Sequence, residues 1–392
     1  MENSFFVEVA CRQIDCAGER ICGDSFLCRR VSGGARTIVV LSDGMGHGVK
    51  ANILSTLTST MLAGFVSRYE DITRIAELIL KTLPVCSVRK ISYSTFTMLD
   101  IDNRTGEVQA VEYDNPRMML LRDDGPVALE GEEVVFRNGE GRTQKFLRSR
   151  FTARRGDRLV LVSDGVTQSG QRAGRYRFGW GADNLCQTVC YLTVFNRDIT
   201  SADLAAQILS KASLNDDGRP SDDMSAVVIH FREPRRLLMA SCPPAFPEEY
   251  PALATLVSEF RGTKAVCGYP VAEVLAAQLG LPVERDEFSS DPSVPPVWRI
   301  PSFELVTEGI VTLNRMLELL ERPGTLSEGN DAVHRFCRLL LRHDEITFLI
   351  GTKRNVNAGG LPDEFELRRN MLRRLAALME SRYGKQVFIR YV

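Results

Sequence analysis

Asp43-Gly44-Met45-Gly46-His47-Gly48-Val49-Lys50-Ala51 places an acidic residue directly after an apolar run and follows it with alternating glycines and the start of a helix. The run before it, Thr37-Ile-Val-Val-Leu-Ser42, is apolar and β-branched, and reads as a buried strand. Asp43 therefore emerges at a strand end, where a carboxylate can hold a metal ion while glycine amides approach closely.

The design recurs twice. Arg158-Leu-Val-Leu-Val-Ser-Asp164-Gly165 is a second apolar strand ending in Asp-Gly, and Ser221-Asp222-Asp223-Met224 opens the strand Ser225–Phe231. Carboxylates at three strand ends can meet at one edge of a fold although they are far apart in sequence. Hard oxygen donors of this kind suit Mg²⁺ or Mn²⁺ rather than zinc.

These blocks resemble the metal-dependent protein phosphatases, the PPM or type-2C family, in the bacterial SpoIIE-like branch where Asp-Gly-Met-Gly replaces Asp-Gly-His-Gly. The resemblance runs from Gly23-Asp24 to Asp222-Asp223-Met224. It implies an α+β fold for residues 1–232, a PPM-type β-sandwich flanked by helices in the order α-β-β-α. It also implies a Mn²⁺- or Mg²⁺-dependent serine/threonine phosphoprotein phosphatase that uses two ions to activate water. By the same match Asp43 bridges the ions, the Gly44 carbonyl joins one coordination shell, and Asp164 and Asp222 complete the metal set as catalytic residues. Asp24 and Asp223 stand beside it as weaker or indirect contacts.

Two positions depart from the eukaryotic pattern: Gly23 replaces a glutamate that helps order the second ion, and Met45 replaces a histidine thought to protonate the leaving group. His47 is open to two readings, a proton donor or a cap for the following helix. Arg20 is likewise open to two readings, a phosphate contact through its guanidinium or a solvated surface arginine. The departures also leave an alternative, a weakly active or inactive phosphatase-fold scaffold that binds a partner protein.

The helix expected over residues 48–67 carries no charge from Ala51 to Val66. Hydroxyl and amide side chains lie on one side, with Leu54, Leu57, Met61 and Phe65 on the other. Such a helix is expected to meet protein on both sides, and the resemblance makes a homodimer through residues 51–66 one possibility.

At 392 residues the chain exceeds one usual core, and its texture changes after Arg232-Glu-Pro-Arg-Arg236. Residues 235–392 read as a smaller α/β domain of regulatory or ligand-binding role. Its expected strands are 237–241, 264–267, 346–350 and 387–391, and its expected helices 248–260, 270–279, 305–321, 330–342 and 364–382. The proline-rich segment 291–301 reads as an extended surface loop. Gly351-Thr-Lys353-Arg354 follows a strand and offers two cations, a candidate site for a small anionic ligand, with Ser241–Pro244 and Thr307–Gly309 as companions.

A hydrophobic share of 44%, a charged share of 25% and a net charge of −1 describe an ordinary globular chain and give no electrostatic ground for a nucleic-acid partner. The acidic, alternating first ten residues lack the pattern of a secretory leader, and no apolar run is long enough to span a bilayer, so a cytoplasmic protein is expected. The ten cysteines lack paired Cys-x-x-Cys spacing and are expected to be reduced, mostly buried thiols.

Overall fold

The structure, a computed structural model, describes residues 6–31, 34–68, 71–82, 94–123, 125–137, 141, 143–286, 296–322, 329–352 and 364–392. The chain divides into two compact units, Met1–Glu233 and Pro234–Val392.

The first unit begins β1 (Phe6–Ile14), β2 (Asp24–Val31), β3 (Arg36–Gly44), α1 (Gly48–Val66), α2 (Ile72–Thr82), β4 (Ser94–Asp102), β5 (Glu107–Tyr113) and β6 (Met119–Arg122). It continues β7 (Gly125–Val127), β8 (Glu132–Arg137), β9 (Thr143–Thr152), β10 (Arg158–Val162), α3 (Asp164–Thr167), α4 (Gly181–Phe195), α5 (Ser201–Asn215) and β11 (Met224–Arg232). Two antiparallel sheets result, ordered β1-β11-β10-β6-β7 and β2-β3-β4-β5-β9-β8.

The layer order follows from alternation along the buried strands. In β3, Val39 and Leu41 point into a core shared with Leu159 and Leu161 of β10 and Val227 and Ile229 of β11, while Ile38 and Val40 pack with Leu62, Ile75 and Ile79 of α1 and α2. On the other sheet, Val160, Val162, Ala226 and Val228 pack with Leu185, Leu204 and Ile208 of α4 and α5. Each central strand is thus buried on both faces, which is why it reads as an unbroken apolar run. The α-β-β-α sandwich is the expected fold.

α1 buries its small and hydroxyl side chains Ala51, Ser55, Thr58 and Ser59 in its first half, and Leu62, Ala63 and Val66 in its second. Ser55 donates to the Gly23 carbonyl at 2.6 Å, the Ser59 and Ser25 hydroxyls lie 2.8 Å apart, and Thr58 donates to the Leu54 carbonyl. Those bonds satisfy the inner face. Val49, Ile53 and Leu57 are left exposed at 59%, 60% and 48%, whereas Met61 and Phe65 pack partly against the core. Within this unit the helix therefore meets protein on one side only.

The second unit consists of β12 (Arg236–Ser241), α6 (Tyr250–Glu259), β13 (Thr263–Cys267), α7 (Tyr269–Leu279), β14 (Glu284–Arg285), β15 (Val297–Arg299), β16 (Leu305–Thr307), α8 (Ile310–Glu321), α9 (Ala332–Arg342), β17 (Glu345–Ile350), α10 (Glu364–Ser381) and β18 (Gln386–Tyr391). The sheet runs β14-β15-β16-β13-β12-β17-β18; the last five are parallel, and β14 and β15 add an antiparallel edge.

Two expectations fail here. Leu305–Thr307 is a strand rather than the first turn of a helix, because Glu308 caps α8 by accepting from the Ile310 and Val311 amides, so the helix cannot begin earlier. Val297–Arg299 is a short strand within the segment read as a loop. Residues 291–295 of that segment lie outside the described residues.

His343, 8% exposed, joins two parts of this unit: Nδ1 lies 2.6 Å from the Leu339 carbonyl and Nε2 2.9 Å from the Thr263 hydroxyl. A neutral ring donates to the carbonyl and accepts from the hydroxyl. Burial, opposed by the Leu339 bond and the Asp344 charge, holds its pKa below the ordinary 6.5. The unfolded chain therefore takes up a proton near 6.5 while the folded ring stays neutral, so the contribution is full above that value and declines as pH falls below it. Urea unfolding of the full chain at about pH 7.5 and about pH 5.5 should show a larger acid loss for wild type than for His343→Gln.

Candidate active site

Strand register brings the expected carboxylates together. Asp24 and Asp43 are partners across the β2–β3 ladder. In the facing sheet β10 and β11 are paired to Val162 and Ala226, and the Ser163 amide donates to the Ser225 carbonyl, which puts Asp164 and Asp222 just beyond the same end. The Ser225 hydroxyl crosses between the sheets to Asp24 Oδ2 at 2.6 Å.

Both Asp-Gly pairs need glycine for close backbone approach. A Cβ at Gly44 would lie 2.1 Å from the Ala51 carbonyl oxygen, and one at Gly165 would lie 2.2 Å from that of Asp223. The first closes the Asp43 loop onto α1; the second holds the Asp222-Asp223 turn against Asp164.

The cluster's electrostatics are those of crowded anions. Burial, followed by the charges of Asp24, Asp164 and Asp222, pushes the Asp43 carboxyl well above its ordinary range, and a hydrogen bond between the Asp43 and Asp164 carboxyls acts the same way. Asp222 is raised by burial and by Asp164. Asp24, 2% exposed, is raised to about 7 by burial and by Asp223 and Asp164, against the opposing hydroxyls of Ser225 and Ser163. A divalent cation reverses each of these penalties. The donor set, carboxylates and a backbone carbonyl, fits Mg²⁺ or Mn²⁺.

Other expected residues are placed differently. His47 does not cap α1 with its side chain; its Nδ1 lies 2.7 Å from Glu19 Oε1. Arg20 is exposed in the loop after β1. Gln168, which nothing in the sequence pattern marked, donates to Asp164 Oδ2 at 2.7 Å. In the second unit Ser241, Thr307–Gly309 and Gly351 adjoin at the carboxyl edge of the sheet: Ser241 donates to the Cys267 carbonyl, the Gly268 amide to that of Thr307, and the Gly351 amide to that of Ser241. Lys353 and Arg354 lie outside the described residues.

Residues 33–232 match the family described as Stage II sporulation protein E (SpoIIE), 200 of 392 residues and so just over half of the chain. The chain belongs to the SpoIIE family. Among solved structures, it is similar to the phosphatase domain of the cell fate determinant SpoIIE from Bacillus subtilis in a crystal form without domain swapping. That similarity is 17% identity and a TM-score of 0.43 over 59% of this chain and 94% of that one. A second structure of the SpoIIE PP2C phosphatase domain, with a fragment of its regulatory domain, gives 19% and 0.47 over 59% and 64%. The serine/threonine phosphatase PstP/Ppp from Mycobacterium tuberculosis gives 15% and 0.40 over 58% and 99%. No curated protein matches. The SpoIIE-family match ends at the last strand of the sandwich, so the second unit lies beyond it. Among the described residues no helix is long and apolar enough to cross a membrane.

Proposed function

We propose that this SpoIIE-family chain is a Mn²⁺- or Mg²⁺-dependent phosphatase of serine/threonine phosphoproteins. The observation that carries the reading is the convergence of Asp43, Asp164 and Asp222 at one end of two facing sheets, with burial and mutual repulsion raising Asp43 and Asp222. These three and the Gly44 carbonyl would hold two ions, which when bound supply a nucleophilic water and neutralise charge on the phosphoryl group. The chain's own part is to fix the carboxylates: Gly44 and Gly165 hold the backbone close, and Gln168 orients Asp164 through Oδ2. Met45 carries no transferable proton, so leaving-group protonation falls to solvent or to His47, which Glu19 orients. Mn²⁺-dependent release of phosphate from a phosphothreonine peptide, abolished by a chelator, tests the reading. Its failure would favour a partner-binding scaffold.

We also assign self-association to α1, on the strength of the exposed stripe Val49, Ile53 and Leu57. Leu57→Lys should leave thermal stability within about 0.5 kcal/mol while shifting sedimentation toward monomer. Met61→Lys should destabilise the fold itself, since that side chain packs partly against the core. A Leu57→Lys protein that sediments as wild type removes this assignment. For the second unit we infer regulation through a small anionic ligand at the carboxyl edge, tested by thermal-shift screening of wild type against Lys353→Ala with Arg354→Ala.

A further inference from the structure

Beside the Asp43 set lies a second group, of which only Asp223 was expected to support that set, and then indirectly. The β1–β11 ladder ends at Ile14 and Met224, so Asp15 and Asp223 stand opposite one another just beyond it. The loop after β1 returns Cys22 to the same place before β2 begins. One ligand atom from each of Asp15, Cys22 and Asp223 lies within 4.8 Å of the others.

Asp223 supplies the independent observation. It is 2% exposed; Oδ1 accepts from the Cys16 amide at 3.0 Å, while Oδ2 is buried with no hydrogen-bond partner. A buried carboxylate oxygen left without a donor is costly. Its position is tied to the residue next to Cys22: a Cβ built on Gly23 would fall 2.6 Å from Oδ2, so glycine there leaves the oxygen its space. Sγ of Cys22 lies 3.6 Å from Gln13 Nε2, which also reaches the Asp24 carbonyl and the Ser225 hydroxyl. A coordinated cation deprotonates a thiol that binds it.

We propose that Asp15, Cys22 and Asp223 form a third cation site, separate from the Asp43-Asp164-Asp222 set and taking a borderline divalent ion of the Zn²⁺ class. Two carboxylate oxygens and one thiolate are a donor set for Zn²⁺, whereas Mg²⁺ does not favour sulfur. Binding forms a metal–sulfur bond and releases the thiol proton to solvent. The ion ties the β1–β2 loop to the residue after Asp222, bracing the approach to the neighbouring carboxylates without entering the reaction. The site stands whether or not the chain hydrolyses phosphoesters.

Full-length protein, stripped of metal by a chelator, can be titrated with Co²⁺ alone while absorbance is followed in the near ultraviolet, where sulfur-to-cobalt charge transfer appears. The expected result is a band that saturates at one equivalent, persists in Asp43→Asn and is absent in Cys22→Ser. Asp15→Asn, at an exposed position where folding is not at stake, should weaken Co²⁺ binding roughly tenfold or more, since losing even a partner that only orients a ligand costs about that much. Zn²⁺ should bleach the band and Mg²⁺ should not. No band, a band that survives Cys22→Ser or disappears with Asp43→Asn, or an unchanged affinity in Asp15→Asn overturns the proposal.

Discussion

Asp43→Asn should lower Mn²⁺-dependent turnover of a phosphothreonine peptide by about 10³-fold, the rate equivalent of ~4 kcal/mol of lost charge stabilisation. Asp43 is the carboxylate on which Asp24, Asp164 and Asp222 all press, so it is where ions and anions are most strongly coupled. The same substitution should not destabilise the metal-free protein. An amide in place of this carboxyl removes a group whose ionised form burial and its neighbours both oppose, so the metal-free melting temperature should hold or rise. Loss of activity with an unchanged or higher melting temperature separates loss of a metal ligand from loss of the fold. Turnover within tenfold of wild type would sink the assignment of Asp43 to the ions.

The parts of the fold that were legible in the sequence are those where burial acts on both faces of an element. β3, β10 and β11 announce themselves because neither face meets water, and their Asp-bearing ends follow from where the apolar runs stop. β2 and β8 are sheet edges with exposed charges, among them Arg29, Arg30, Glu132 and Glu133, and β9 alternates with Lys145 and Arg148. Their hydrogen bonds come from the neighbouring strand rather than from any pattern of their own. The α1 helix misleads for a different reason. Its uncharged length is visible, but which face turns inward over its first half depends on groups elsewhere, the Gly23 carbonyl and Ser25 hydroxyl, that hold Ser55 and Ser59 inward and leave Leu57 outside. Likewise, nothing within Asp15, Cys22 or Asp223 marks them as neighbours, because the register that joins them spans more than two hundred residues.

The glycine of the second Asp-Gly pair should be as intolerant as the aspartate, and for a steric reason. In Gly165→Ala the new Cβ would sit 2.2 Å from the Asp223 carbonyl oxygen, 3.1 Å from its carbon and 3.3 Å from the Asp222 Cβ. These atoms belong to a turn held by the Ser163 hydroxyl, which accepts from the Ser225 amide at 2.9 Å, and by the β10–β11 ladder that follows. The backbone cannot rotate away as a flexible side chain could. Relief requires Asp222 and Asp223 to move off Asp164, which breaks the carboxylate cluster and strains the start of β11. A destabilisation of ~3 kcal/mol is expected, at the upper end of the overpacking range, together with loss of Mn²⁺ affinity by calorimetry. Asp164→Asn alters the same spot without adding volume, so it should lose Mn²⁺ affinity while keeping its unfolding midpoint. If Gly165→Ala instead matched Asp164→Asn in stability, the close approach at Gly165 would not be what holds the two acidic segments together.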